Sequence, residues 1–267
     1  MCLASPATRK IMARASESPE LPGEPGYRVG PLANHLSPTG AAAVDISKYP
    51  GRLLVLEGTD GAGRSTQLAL LREFLESQGF GVAHTALTRS RLVGEGLRKA
   101  KEGHTLGRTT MDLFYATDFA DRLQNQILPA LRAGFVVLTD RYIFSTMARS
   151  IVRGVDPQWV RDVYRFAPAP HAVFYLKVDL EHLPSRVLSR GGFDFWESGM
   201  DFQEETDLYQ SFVRYQKRLL AVFDELAAEH GFCTVNANRA VRPIFRDLKQ
   251  GVLEVVRGME GGTAERS

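Results

Sequence analysis

LLVLEGTDGAGRSTQ, residues 53 to 67, runs from a short apolar stretch through a glycine-rich turn into a polar, helix-favouring segment. Its middle fits the phosphate-loop pattern of Gly, four residues, Gly, a basic residue and Ser/Thr, here Gly58, Thr59, Asp60, Gly61, Ala62, Gly63, Arg64, Ser65 and Thr66. Gly58, Gly61 and Gly63 let the backbone curl so that its N–H groups converge on a phosphate, and a helix starting at Ser65 adds positive potential there. Ser65 is placed to ligate Mg²⁺, which bridges the terminal phosphates of a bound nucleotide. One position departs from the pattern: Arg64 stands where such loops normally carry Lys. A planar fork on a bulky side chain neutralises the same phosphates but fits the loop less closely than a compact ammonium.

Working outward from this loop, apolar runs alternate with amphipathic stretches, as in a parallel sheet covered by helices. Strands are expected at LLVLE (53–57), GVAHTAL (81–87), FVVLTD (135–140), AVFYLKV (172–178) and FCTVN (232–236). Helices are expected over 65–78, about 92–101, 109–132, 143–152, 156–166, 180–190, 204–230 and 243–257, the long 204–230 stretch stopping on Gly231. The fold class is therefore α/β: a three-layer α/β/α P-loop NTPase with a five-stranded parallel sheet flanked by helices. Residues 1–50 hold seven of the 13 prolines and no sustained apolar period, so they read as a disordered or loosely docked tail ahead of a domain at 51–258; 259–267 read as a disordered end.

Composition excludes several functions. The 33 basic and 31 acidic residues nearly cancel, which leaves no global field to hold nucleic acid or an anionic membrane and suits a small anionic substrate. No run approaches the roughly 20 apolar residues of a membrane helix. The N-terminal MCLASPATRKIMARAS has the basic, Ser/Ala-bearing look of an organelle transit peptide, but Glu17, Glu20 and Glu24 follow it. Cys2 and Cys233 are far apart and offer no metal-ligand spacing, so a cytoplasmic setting is the expectation.

Three segments in order, EGTDGAGRSTQ (57–67), LFYATDFADR (113–122) and DRYIFSTMA (140–148), resemble the thymidylate kinase family over roughly residues 51 to 255. The resemblance implies ATP and Mg²⁺ as co-substrate and cofactor, a nucleoside monophosphate as phosphoryl acceptor, and a homodimer, with 109–132 as the place to look for its interface. It also implies roles. Asp140 organises Mg²⁺ and its waters beside Ser65, and Arg141 holds the acceptor phosphate near the attacked γ-phosphate. Asp60 faces the acceptor sugar and phosphate; Arg89 or Arg91 grips that phosphate; Phe114 stacks on the pyrimidine. Arg186 and Arg190, four residues apart before Gly191-Gly192, belong to a lid at about 186–202 and supply the transition-state charge that Ala62 does not.

Two positions near the base break the resemblance. Where family members carry an arginine that donates to the thymine O4, this chain has Asp118, or Phe119 if one residue is inserted; where they often show Ser-Ser-x-Ala-Tyr-Gln after DRY, it has Ser145, Thr146, Met147, Ala148, Arg149 and Ser150. A carboxylate pairs better with an exocyclic amine than with a carbonyl, so Asp118 points toward a cytosine nucleotide. Arg64 and this altered pocket also admit a non-catalytic or weakly active nucleotide-binding homologue with a regulatory role.

Overall fold

The computed structural model describes residues 44–103, 106–204 and 207–259. Most of the expected tail and nearly all of the expected C-terminal end lie outside them. Residues 44 to 50, assigned to that tail, are instead part of the domain: Ile46 is buried, Val44 and Tyr49 pack on the core, and the Arg132 guanidinium lies 5.3 Å over the Tyr49 ring.

The five expected strands form, each within two residues of its expected limits: β1 (Arg52–Glu57), β2 (Val82–Ala86), β3 (Val136–Asp140), β4 (Ala172–Lys177) and β5 (Cys233–Asn236). They build one parallel sheet in the order β2-β3-β1-β4-β5. Central β1 is apolar at successive residues because both its faces are covered: Leu53 and Val55 enter one core, Leu54 and Leu56 the other. The first core also takes Phe119, Tyr142, Phe144 and Phe223, and the second takes Leu71, Phe174, Phe212 and Leu248.

The covering helices are α1 (Arg64–Ser77), α2 (Gly94–Gly103), α3 (Arg108–Arg122), α4 (Leu128–Arg132), α5 (Ile143–Val152), α6 (Pro157–Val163), α7 (Leu183–Leu188), α8 (Leu208–His230) and α9 (Val241–Val256). Local chemistry sets their ends. Asp156 caps α6 by accepting from the N–H of Gln158 and Trp159; Asp207 does the same for α8 with Tyr209 and Gln210; and α8 stops at Gly231 with φ 65°. The expected single helix 109–132 is interrupted by a π-turn, Leu123–Ile127, where the Leu128 N–H reaches back five residues to Leu123 O. Pro129 lacks the N–H that would continue the four-residue ladder, so the wider turn absorbs the break.

β1 and β3 are neighbours in register Leu56 to Asp140, and their carboxyl ends open onto one crevice. In doubly wound sheets such a crevice, beside the change of strand order, is where ligands bind.

Candidate active site

The glycine-rich loop leaves β1 into that crevice. Gly58, Gly61 and Gly63 have φ of 146°, 83° and 89°, all positive. A Cβ at Gly58 would lie 2.8 Å from the Leu176 carbonyl oxygen, whereas one at Gly63 would meet nothing within 4 Å. The loop is thus pinned against β4 on one side and open on the other, a cradle that a side chain would fill and a phosphate fits.

Arg64 turns back into this loop. Its Nη1 donates to the carbonyls of Gly58 (2.7 Å) and Thr59 (2.5 Å), and its Nε donates to Asp140 Oδ1 (2.7 Å). The fork accounts for the arginine: one guanidinium satisfies two loop carbonyls and a carboxylate on the adjacent strand, which one ammonium reaches less well. The other Asp140 oxygen lies 3.4 Å from the hydroxyl of Ser65, so the two sequence-chosen Mg²⁺ ligands do come together. Burial opposes ionisation of Asp140, yet Arg64 and Arg141 hold its pKa below the usual value. An ionised carboxylate beside a hydroxyl is a hard-oxygen donor pair suited to Mg²⁺.

Arg141 follows Asp140 with φ 72°, a left-handed conformation that strains a residue bearing Cβ and is held here by bonds from both its backbone and its side chain. Its N–H donates to Leu56 O (3.0 Å), and its Nη1 donates to Gly58 O (3.2 Å) and Ser145 Oγ (3.1 Å). Its Nη2 pairs with Asp60 Oδ1, while Arg149 Nη2 donates to Asp60 Oδ2 at 3.1 Å. Burial disfavours the Asp60 charge, but Arg141, Arg149 and Arg64 keep its pKa far below that of a free aspartate. Underneath, buried Glu57 accepts from Tyr142 N (2.8 Å), Ser145 N (3.2 Å) and Ser145 Oγ (2.5 Å), fixing the start of α5; desolvation raises its pKa, with the Ser145 bond opposing.

Arg149, which holds Asp60, also lines a cavity of about 580 Å³. Tyr115, Asp112 and Met111 of α3 form one wall, Thr146, Arg149 and Ser150 of α5 another, and the segment from Asp194 to Asp201 a third. This geometry corrects two expectations. Phe114 is not among the lining residues; its ring faces Gly96 of α2, and Tyr115, one position on, supplies the aromatic wall. Asp118 is fully buried and engaged: it accepts from Thr88 N (3.1 Å), Ser90 N (2.9 Å) and Arg122 Nε (2.9 Å). It anchors the turn after β2 with both oxygens engaged and none of its surface exposed, which removes the argument for a cytosine nucleotide. Phe119, the alternative position, is packed in the core with its ring centroid 4.9 Å from that of Tyr142. Arg89 and Arg91, in the turn that Asp118 holds, are both exposed and outside the cavity lining.

The two lid arginines part company. α7 packs on the loop, since a Cβ on Gly61 would touch Val187 and Arg186, and Arg186 donates to the Ala237 carbonyl at 2.8 Å. Arg190 is exposed at the end of that turn, before Gly191 and Gly192 with φ 123° and 103°. Sequence reasoning passed over Glu57, Tyr115 and Arg153. Glu57 and Tyr115 lay inside quoted motifs, and their neighbours were chosen; nothing in the sequence marks Arg153.

A doubly wound parallel sheet, a glycine cradle on β1 and a Ser–Asp pair across it define a P-loop nucleotide-binding protein. The comparisons narrow this. A family model described as thymidylate kinase matches residues 56–248. The "probable thymidylate kinase 2" of Saccharolobus solfataricus is 35% identical over 202 residues, covering 75% of this chain and 94% of the relative. A "probable thymidylate kinase" of Staphylothermus marinus is 31% identical over 211 residues (78% and 98%), and the "thymidylate kinase" of Desulfotalea psychrophila 28% over 214 residues (79% and 99%). The chain belongs to the thymidylate kinase family.

Proposed function

We propose that this protein is a nucleoside monophosphate kinase that transfers the γ-phosphoryl group of ATP to dTMP, yielding dTDP and ADP, with Mg²⁺. One observation carries the reading: the dipeptide Asp140-Arg141 joins both halves of the site. Asp140 meets Ser65 across the loop, and Arg141 pairs with Asp60, whose other oxygen is held by Arg149 of the cavity wall. Mg²⁺ bound by Ser65 and Asp140 would neutralise charge on the transferring phosphates. Arg141 changes partner from Asp60 to the acceptor phosphate and brings it toward the γ-phosphate; Arg149 keeps Asp60 neutralised meanwhile, so that two anions do not face each other. Tyr115 offers a ring for the base and Arg186 lies next to the loop, positioned to add positive charge as the leaving group forms. Excluding water matters because water is a competing acceptor, and the 194–201 segment covers the cavity on that account.

The acceptor assignment rests on the named relatives and on the loss of Asp118 as a base reader. A homodimer formed through the outer face of α3, where Leu113 is 47% exposed, and a cytoplasmic location belong to the same reading. No helix among the described residues is long and apolar enough to cross a membrane. Initial rates with ATP and Mg²⁺ against dTMP, dUMP, dCMP and dGMP, followed by coupled ADP detection, test the proposal. dTMP is expected to be the best acceptor; a preference for dCMP would overturn the assignment.

A further inference from the structure

The three walls of the acceptor cavity meet at one residue. Arg153 follows the last turn of α5, and its Nε and Nη2 donate to both oxygens of Asp201 at 2.7 and 2.9 Å. Nη2 also donates to the Trp196 carbonyl (3.1 Å), and Nη1 donates to Tyr215 Oη of α8 (3.0 Å) and to Arg149 O within α5 (3.2 Å). The guanidinium lies 5.3 Å from the Phe202 ring and 5.1 Å from the Tyr215 ring. Its own carbonyl accepts from Arg108 Nη1, at the start of α3, at 2.6 Å. With side chains only 12% and 15% exposed, the Arg153–Asp201 fork is shielded from the solvent that makes surface ion pairs weak.

Other hydrogen bonds tie the segment to α8 and α2, and the Glu197 carboxylate also interacts with the Arg149 charge on α5. Ser211 Oγ donates to Ser198 O (2.7 Å) and Gln216 Nε2 to Glu197 O (2.9 Å), both from α8, and Trp196 Nε1 donates to Lys101 O of α2 (3.1 Å). The wall is therefore hydrogen-bonded to α8, and Arg153 ties it directly to α5, the helix that carries Arg149 and Ser150. We infer that Arg153 is a positioning residue for the acceptor: by locking the 194–201 wall to α5 through Asp201 it fixes the width of the cavity, and so the affinity for the nucleoside monophosphate, without touching the reacting atoms.

This rests on the phosphoryl-transfer reading and makes a distinct prediction. Arg153→Ala and Asp201→Ala each raise the acceptor KM by roughly tenfold or more, with kcat changed less than about threefold and the ATP KM unmoved, because binding energy and not transition-state charge is lost. The double variant is no worse than the poorer single one, since the two act as a unit. Arg153→Lys recovers part of the loss, a point charge replacing one arm of the fork. A merely structural role would instead lower kcat in proportion to the active fraction and leave the acceptor KM alone; that result, or additive losses in the double variant, overturns the inference. Wild-type protein that phosphorylates no nucleoside monophosphate overturns the site reading together with it, whereas an active wild type with an unmoved acceptor KM in both variants overturns the inference alone.

Discussion

Arg64 is the residue at which this loop departs from its pattern, and its three contacts show the site built around an arginine. Arg64→Lys is expected to lower kcat/KM for ATP by about tenfold, the equivalent of one lost charge-assisted hydrogen bond at about 1.4 kcal/mol, in steady-state assays. A gain in activity would mean that the arginine weakens the loop. Glu57 is the second residue on which the site stands. Glu57→Ala leaves three buried donors of Tyr142 and Ser145 without their acceptor, so urea unfolding should show a loss of about 2–3 kcal/mol. For Asp60 the pH dependence follows from its lowered pKa: the folded state holds the ionised form more tightly than the unfolded chain does. Its contribution is therefore complete above the ordinary aspartate pKa of 3.8 and declines as pH falls below it. Unfolding free energies between pH 7 and pH 3 should drop less steeply in Asp60→Asn than in the wild type, although the variant starts lower because Arg141 and Arg149 lose their partner.

At the scale of elements, the loop glycines separate conformational strain from lost binding space. Gly58→Ala combines a positive φ with a Cβ 2.8 Å from the Leu176 carbonyl, and neither the strand nor the loop has a flexible side chain to move aside. It should lower thermal stability and abolish nucleotide binding together. Gly63→Ala carries strain of about 1–2 kcal/mol at most, because its Cβ enters open space, but that space is the cradle; ATP binding by calorimetry should fall much further than stability does. These elements were legible in the sequence because each has a local cause: apolar runs for five strands, Gly231 for the end of α8, glycines for the loop. What was not legible depends on rotation and distance. Neighbouring positions on α3 point about 100° apart, so Tyr115 lines the cavity where Phe114 does not, and Asp118 faces the turn after β2. Arg153 and Asp201 are 48 residues apart, and no local pattern announces their pairing.

Over the whole molecule, the parallel sheet brings the glycine-rich loop after β1 beside Asp140-Arg141 at the end of β3, and the near-balanced charge leaves the positive potential there to the arginines gathered around Asp60 and Asp140. The family match from residue 56 to residue 248 covers both halves of that arrangement. The central claim is that phosphoryl groups pass from ATP to dTMP across that dipeptide. Incubating the purified chain with γ-labelled ATP, Mg²⁺ and dTMP and separating the nucleotides tests it directly. The account predicts label in dTDP in amounts equal to the ADP formed, with Arg141→Ala losing the transfer; label released only as inorganic phosphate, or no label leaving ATP, would contradict it.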